Sequence, residues 1–533
     1  MVVINFIGAL FAVIIGCILM LSQSALWQRK EYRLDRVRSH IQEPSGSPLG
    51  SPWLLLGMTA VGAGWVAYLV SKAQLAELLG GLSLVSYGIH YMQKTLKQGV
   101  DRPKWTAKAG VLFIGSLVAL CAYIGLFFTP IEIIALQSAT ILLFIPVIIA
   151  VVVGLVNLPF WIRKKQIIKK ATSLRQSLKN ITVIGITGSY GKTSVKHFSL
   201  QILQDHMKGV QATKEHRNSE IGVAIDMLES LSAKTKVYIA EMGAYRKGEI
   251  KALVKLAQPK IGLITAVSNQ HLSLFGSKQE LLKAKWELAD GVLQNGTLII
   301  NRDDAELRQK SAKVSGEIMT YDTVGNSDIS VHDTQILPEV IKATIRIKDE
   351  KSKVVIPLAG KGALSSVLGA VALTHAVGLS LKDISASLEK LQAFPRTMQL
   401  VKKKDGSTIL DDSYSGGQVA TQNAFEHFTK FTQADKRVVF TPIIELGSDG
   451  PTVHEQLGEL FAGLNARIYV WGVSYKKELE EGIKKSGKQV DVSWYVDPLR
   501  LAQDISRDLS QDTAILIEGR VPDIVRRGLG LTK

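Results

Sequence analysis

The segment Ile181–Leu203, ITVIGITGSYGKTSVKHFSLQIL, constrains the fold more than any other part of the chain. Ile181–Thr187 is an apolar, β-branched run of strand length, Gly188–Gly191 is a turn, and a helical pattern starts at Lys192. A buried strand that turns at once into a helix belongs to a mostly parallel sheet covered by helices. The residue types in the turn add chemistry. Gly188 and Gly191 carry no Cβ, so backbone N–H groups can approach phosphate oxygens, and the helix N-terminus adds partial positive charge. Lys192 is placed to reach the outer phosphates of a nucleoside triphosphate, and the Thr193 hydroxyl to ligate Mg²⁺. Thr187, Gly188, Ser189, Tyr190, Gly191, Lys192, Thr193 and Ser194 therefore form the predicted ATP-binding loop. The stricter form of such a loop has glycine where this chain has Ile186.

Upstream the texture is different. Apolar stretches cover roughly Val2–Leu21, Trp53–Val70, Ala73–Met92, Ala109–Phe128 and Ile131–Val156, most of them near the ~20 residues that cross a hydrocarbon core. The third is the least apolar, with Glu77 and His90 near its ends. The first stretch lacks a basic segment before it, which favours a retained span over a cleaved leader. Residues 1–180 hold 18 Lys+Arg against 6 Asp+Glu, so most of the net charge of +17 lies in this third of the chain. The basic residues follow the first, third and fifth stretches, whereas the turns after the second and fourth hold only Lys72. Five spans with the N-terminus outside put every basic loop on the cytoplasmic side. That distribution excludes a nucleic-acid-binding face, which would cluster its cations on one soluble surface. Glu132 is expected at a membrane interface. Cys17 and Cys121 lie inside apolar runs without metal-ligand spacing and are expected as small buried hydrophobes. The expected order is an all-α transmembrane region of about five helices at 1–160, then a basic juxtamembrane linker at 161–180. An α/β P-loop domain at 181–398 and a Rossmann-like α/β domain at 399–533 follow. In the last, strands at Arg437–Ile444, Arg467–Val473, Val490–Val496 and Thr513–Glu518 alternate with helices such as His454–Leu464.

TGSYGKTS resembles the phosphate loop of the Mur ligase family, which builds the peptide of peptidoglycan. The resemblance continues in order through NSEIGVAIDML from Asn218, EMGAYRKGEI from Glu241, HLSLFGS from His271, AKWEL from Ala284, NRDDAEL from Asn301, Arg396, LDDSY from Leu410, and ELG at Glu445–Gly447 followed by His454. Eight matches in one order over about two thirds of the chain are similar to the branch that adds D-alanyl-D-alanine. The resemblance implies ATP-dependent amide-bond formation, in which a muropeptide carboxylate becomes an acyl phosphate and an amine attacks it. It implies Lys192, His271 and Lys285 as catalytic residues, and Thr193, Glu241, His271 and Lys285 around Mg²⁺, with Lys285 carried as a carbamate. It also places Asn301 and Asp304 near adenine or ribose, Arg396 on phosphate, and Asp411 or Asp412 at the hinge to the last domain. Residue by residue, Glu241 could instead be a buried helix-capping carboxylate. Lys278, Lys283 and Lys285 could form one solvated helix face, and a lone histidine is usually structural.

The chain also departs from the family pattern. Ser219 and Ala266 replace asparagines, Gly360-Lys361-Gly362-Ala363 replaces a G-x-HN segment, Ser415-Gly416-Gly417-Gln418 replaces NANP, and Glu518-Gly519-Arg520 replaces KGS. Apolar stretches stand where the family has a domain for the uridine nucleotide, so a lipid-linked carboxylate substrate is expected. Partners are then a peptidoglycan precursor, D-alanyl-D-alanine or another amine, and the membrane, with no nucleic acid. The competing expectations are a related amide ligase using another amine, and a membrane scaffold that binds ATP without ligation.

Overall fold

The computed structural model describes residues 2–29, 52–98, 106, 109–118, 134–267, 275, 277–414, 416–443, 446 and 449–531. The chain divides into two compact units, Met1–Lys165 and Gln166–Lys533.

In the first unit the described residues are helical: Val2–Arg29, Pro52–Leu69, Ala73–Gln98, Ala109–Val118 and the start of Ile134–Ser177. Part of each expected apolar stretch is thus helix. Among the described residues one helix, Ala135–Ser177, is long and apolar enough to cross a membrane; Ile14–Gln28, Leu54–Leu69 and Ala109–Val118 are shorter apolar helices. Small residues let the helices approach. A Cβ on Gly80 would lie 2.2 Å from the Leu136 amide nitrogen. Glu77 is not left at an interface: both its carboxylate oxygens accept from the Ala135 N–H at 2.9 Å, satisfying a helix-start donor. Trp65 Nε1 donates to Thr140 Oγ1 at 2.9 Å. Leu69, Leu78 and Leu155 stay exposed. Cys17, expected as buried, is exposed on the surface of this unit, while Cys121 and Glu132 lie outside the described residues.

The second unit holds two sheets. The first has nine strands: β1 Thr182–Thr187, β2 Val210–Ala212, β3 Val237–Glu241, β4 Ile261–Ile264, β5 Thr297–Asn301, β6 Glu317–Asp322, β7 Ile329–Ile336, β8 Ile341–Ile347 and β9 Glu350–Ile356. Their order is β2-β3-β1-β4-β5-β6-β7-β8-β9. Pairing is parallel from β2 to β7 and antiparallel from β7 to β9. The central strands read as unbroken apolar runs because helices cover both faces. Ile184 and Ile186 pack with Val195, Phe198 and Val367 on one side, and Val183 packs with Tyr238, Leu253 and Leu288 on the other.

The second sheet comprises β10 Gln399–Lys402, β11 Thr408–Asp412, β12 Asp435–Phe440, β13 Arg467–Trp471, β14 Val492–Tyr495 and β15 Thr513–Glu518, in the order β10-β11-β15-β12-β13-β14. All pairs are parallel except β10 with β11. Asp412 and Glu518 are register partners at the ends of β11 and β15.

The basic juxtamembrane stretch 161–180 is helical over most of its length. The helix that starts at Ile134 runs on to Ser177, and its last part docks on the first sheet's core through Ala171. Arg175, itself buried, donates to the Ala257 carbonyl at 3.0 Å and to the Gln258 and Leu178 carbonyls. The basic composition of this stretch is compatible with helix because lysine and arginine are good helix formers.

Candidate active site

The parallel register brings the C-terminal ends of β1, β3, β4 and β5 to one edge, where open α/β sheets bind ligands. Thr187, Glu241, Ile264 and Asn301 close those four strands. From Thr187 the chain turns through Gly188–Gly191 into the helix Lys192–His206. Gly188 has φ +149° and a Cβ there would lie 1.9 Å from Thr265 Oγ1; Gly191 has φ +81°. Both positions need glycine, as the sequence implied. Thr265 steadies the loop by donating to the Thr187 carbonyl at 3.3 Å and to the Tyr190 carbonyl, and Ser189 N–H donates to the Ala266 carbonyl at 2.8 Å. The Thr187 hydroxyl is turned inward to the Met242 carbonyl at 2.8 Å. Tyr190 is exposed, and Ser194 sits half-buried in the first helical turn.

Lys192 curls back over its own loop, donating to the Gly188 carbonyl at 2.7 Å and the Ser189 carbonyl at 3.2 Å. Burial lowers its pKa, and the Glu241 charge partly restores it. The Thr193 hydroxyl lies 3.2 Å from both carboxylate oxygens of Glu241. Glu241 also meets Lys196 Nζ at 2.9 Å and Asn218 Nδ2 at 3.3 Å. It caps no helix; it ends β3 inside the site. Burial alone would raise its pKa, but Lys196 and Lys192 overcome that and hold it below the usual carboxylate range.

Lys285 lies on the inward face of the helix Lys278–Val292 and is 3% exposed. Burial first, and then the charge of Lys192, push its pKa down to about 7. The expectation of one solvated lysine face fails at this residue. Lys278 and Lys283 do behave that way, pairing on the surface with Glu306 and Glu280. His271 lies outside the described residues, as do Glu445 and Gly447 of the matched ELG.

The five remaining residues named from the sequence make specific structural contacts. Asn301 Nδ2 donates to the Thr265 carbonyl at 2.8 Å. Asp304 caps the helix Ala305–Ser311 through the Leu307 N–H and accepts the Val267 N–H at 2.7 Å. Both therefore brace the strand end that supports the loop, each Asp304 carboxylate oxygen accepting one backbone N–H. Arg396, at φ +65°, donates to Ser413 Oγ at 3.2 Å and the Ser413 carbonyl at 3.0 Å, tying the first sheet's domain to the second. Asp411 is 1% exposed and forms a buried ion pair with Arg526 at 3.0 Å, so its carboxylate faces the interior of the second domain and not a nucleotide. Asp412 Oδ1 accepts the Met398 N–H at 3.0 Å.

Sequence reasoning missed Lys196, Thr213, Thr265 and Tyr414. Lys196 was findable, because it stands four residues after Lys192 on the same helix face. The Tyr414 ring stacks with His216 at 6.1 Å and meets Phe394 edge-on at 5.0 Å. No spacing in the sequence brings those three together. Ser219, where the resemblance led to asparagine, caps the helix Glu220–Ser230 by accepting from Gly222 N–H.

The donor set fits Mg²⁺. Hydroxyl and carboxylate oxygens are the hard ligands it takes, and 3.2 Å between Thr193 Oγ1 and the Glu241 oxygens is close to the about 3 Å edge of an octahedral shell. Among the described residues no group of three His, Cys, Asp or Glu side chains forms a cage for a softer metal.

Comparison with known proteins agrees with this geometry. Residues 186–374 match the Mur ligase middle domain. The chain is similar to the UDP-N-acetylmuramoyl-tripeptide–D-alanyl-D-alanine ligase of Escherichia coli strain K12, 30% identical over 305 residues, covering 56% of this chain and 67% of that protein. The enzyme of the same name from Bacillus subtilis strain 168 is 27% identical over 338 residues, covering 63% of this chain and 72% of the relative. The fold of MurF ligase from Thermotoga maritima, solved in complex with ADP, superposes with a TM-score of 0.60 at 23% identity over 69% of this chain and 83% of that one. Ordered motifs, a loop built for phosphate and a long match to these relatives agree: the chain belongs to the Mur ligase family.

Proposed function

We propose that this chain is an ATP- and Mg²⁺-dependent ligase that joins D-alanyl-D-alanine to the carboxylate of a muramoyl tripeptide in peptidoglycan precursor synthesis. The observation that carries the reading is the convergence of Lys192, Thr193, Glu241 and Lys285 at one edge of the first sheet. The γ-phosphoryl group passes from ATP to the substrate carboxylate, leaving ADP and an acyl phosphate. The amine nitrogen then attacks the acyl carbon, the tetrahedral adduct collapses, and phosphate leaves as the amide forms. Two anions must meet before the first step, so the site's work is neutralising and positioning.

The loop N–H groups around Gly188–Gly191 bind the phosphate chain. Lys192 Nζ exchanges the Gly188 and Ser189 carbonyls for phosphate oxygens. Thr193 and Glu241 hold Mg²⁺, which when bound offsets charge between the outer phosphates. Lys285, whose amine is easily neutral at physiological pH, is the residue for a carbamate that extends this oxygen-donor set. The family resemblance adds His271 to the residues assigned to the metal. The second domain delivers the amine, turning about Arg396 and Met398, both in the left-handed region without being glycine.

The reading extends to location. The N-terminal helices hold the protein in the plasma membrane as a multi-pass anchor with both catalytic domains in the cytoplasm, and the carboxylate substrate is lipid-linked. Support comes from the basic residues after alternate apolar stretches, the Ala135–Ser177 helix, and the exposed Leu69, Leu78 and Leu155. Phosphate release by detergent-purified protein, with uridine-linked and lipid-linked muropeptides and a panel of amines, tests both parts. Dependence on D-alanyl-D-alanine is expected, with faster turnover of the lipid-linked acceptor. Preference for the soluble acceptor would remove the lipid-linked substrate, and indifference to D-alanyl-D-alanine would remove the assigned amine.

A further inference from the structure

Lys196 has no part in the steps above, yet it is among the most buried cations of the site. Its Nζ lies 2.9 Å from Glu241 Oε2 and 2.9 Å from the Thr213 carbonyl, and both side chains of the ion pair are 7% exposed. Every donor around Glu241 is accounted for among the described residues. Oε1 accepts from Asn218 and Thr193, and Oε2 from Lys196 and Thr193. The Glu241 N–H meanwhile donates to Thr213 Oγ1 at 3.0 Å, so Thr213 holds both partners.

Two consequences follow. A divalent cation bound by Glu241 competes with the Lys196 ammonium, which already sits 2.9 Å from Oε2. It also enters a site that already holds the ammonium charges of Lys196 and Lys192. The Thr193 hydroxyl is a shared donor and can rotate to present its lone pairs, whereas the Lys196 ammonium has no acceptor role to offer. Triphosphate changes this balance, because it brings several negative charges to the same edge of the sheet.

We propose that Lys196 is a positioning residue that stands in for the divalent cation in the nucleotide-free protein. Its ammonium, fixed by the Thr213 carbonyl, pairs with the buried Glu241 carboxylate and holds it toward Thr193, and it suppresses metal binding until nucleotide arrives. Mg²⁺ then enters with ATP and not ahead of it. This rests on the reading of Thr193 and Glu241 as the Mg²⁺ site.

The test is Mn²⁺ binding followed by electron paramagnetic resonance on the full-length protein in detergent, with and without a non-hydrolysable ATP analogue. Wild-type protein is expected to bind Mn²⁺ at least tenfold more weakly without the analogue than with it. Lys196→Met is expected to tighten nucleotide-free Mn²⁺ binding at least tenfold, and Lys196→Met/Glu241→Gln to lose that gain. A purely structural ion pair would give a less stable Lys196→Met protein with Mn²⁺ affinity unchanged or lower, and that result overturns the proposal. If Lys196→Met does not fold, Lys196→Arg keeps the charge and must keep the analogue dependence; a nucleotide-free affinity as tight as the loaded one would count against the idea. Failure of the underlying reading looks different: Glu241→Gln would then leave analogue-dependent Mn²⁺ binding intact.

Discussion

Replacing Lys285 by methionine should stabilise the metal-free, nucleotide-free protein, and should do so most at low pH. The amine is 3% exposed and its pKa is pushed down to about 7, by burial first and by the Lys192 charge second. Against an ordinary lysine near 10.4, a depression of about 3.4 units corresponds to an upper bound of roughly 5 kcal/mol. Relaxation and water entry reduce that to a few kcal/mol. Between about pH 7 and pH 10 the unfolded chain carries the proton and the native chain does not. Wild-type stability from this residue therefore rises with pH across that window and is lowest below 7. Methionine has similar length, fills the same space and cannot charge. The assay is the urea unfolding midpoint of the first-sheet domain, followed by its tryptophan fluorescence at pH 6, 8 and 10. The variant should gain most at pH 6, and the gap should close by pH 10. A Lys285→Met protein that is less stable than wild type at pH 6, or shows the same difference at all three pH values, would refute the reasoning. The same low pKa makes the neutral amine, the form that reacts with carbon dioxide, far more accessible near neutral pH than in an ordinary lysine, so wild-type protein should take up ¹³C-labelled bicarbonate as a carbamate resonance absent from Lys285→Met.

Other perturbations have equally definite outcomes. Gly188→Ala places a Cβ 1.9 Å from Thr265 Oγ1 at φ +149°, so ATP affinity measured by calorimetry should drop at least tenfold. Arg526→Met leaves Asp411 as an uncompensated buried charge and should cost about 3–5 kcal/mol in denaturant unfolding. The Asp412 and Glu518 carboxyls face each other at the ends of β11 and β15; burial raises both, Asp412 to about 7. A carboxyl raised in this way contributes stability at low pH that is lost as pH rises through its folded pKa. Glu518→Gln should therefore flatten the fall in second-domain stability between pH 5 and pH 8, and an unchanged slope would count against the raised carboxyl pair.

The phosphate loop was legible because its chemistry is local: a strand, two obligatory glycines and a lysine read directly as a nucleotide site. The parallel sheet was legible for a related reason, since Val183–Ile186, Val237–Ala240 and Leu298–Ile300 are continuous apolar runs. What the sequence did not reveal depends on long-range contacts. Asp411 and Asp412 are adjacent in sequence, yet β11 sends one to Arg526 and the other toward Glu518 and the Met398 N–H. Asp304 caps a helix and also braces Val267, and the second of these contacts joins segments that no spacing in the sequence brings together. Lys285 could not be told from Lys283 by composition; only the helix's orientation over the sheet buries one and solvates the other. The helix that continues through 161–177 was obscured by its charge, since the sequence shows lysines but not the apolar Ile167, Ile168, Ala171 and Leu174 facing a core.

The central claim is that the Gly188–Thr193 loop and Glu241 grip a magnesium nucleotide. Calorimetric titration of the detergent-purified protein with a non-hydrolysable ATP analogue, with and without Mg²⁺, tests it most directly. Saturable one-to-one binding that weakens without Mg²⁺ and disappears in Lys192→Ala is the predicted result. Absence of binding to the folded wild-type protein, or binding that Lys192→Ala leaves unchanged, would contradict it.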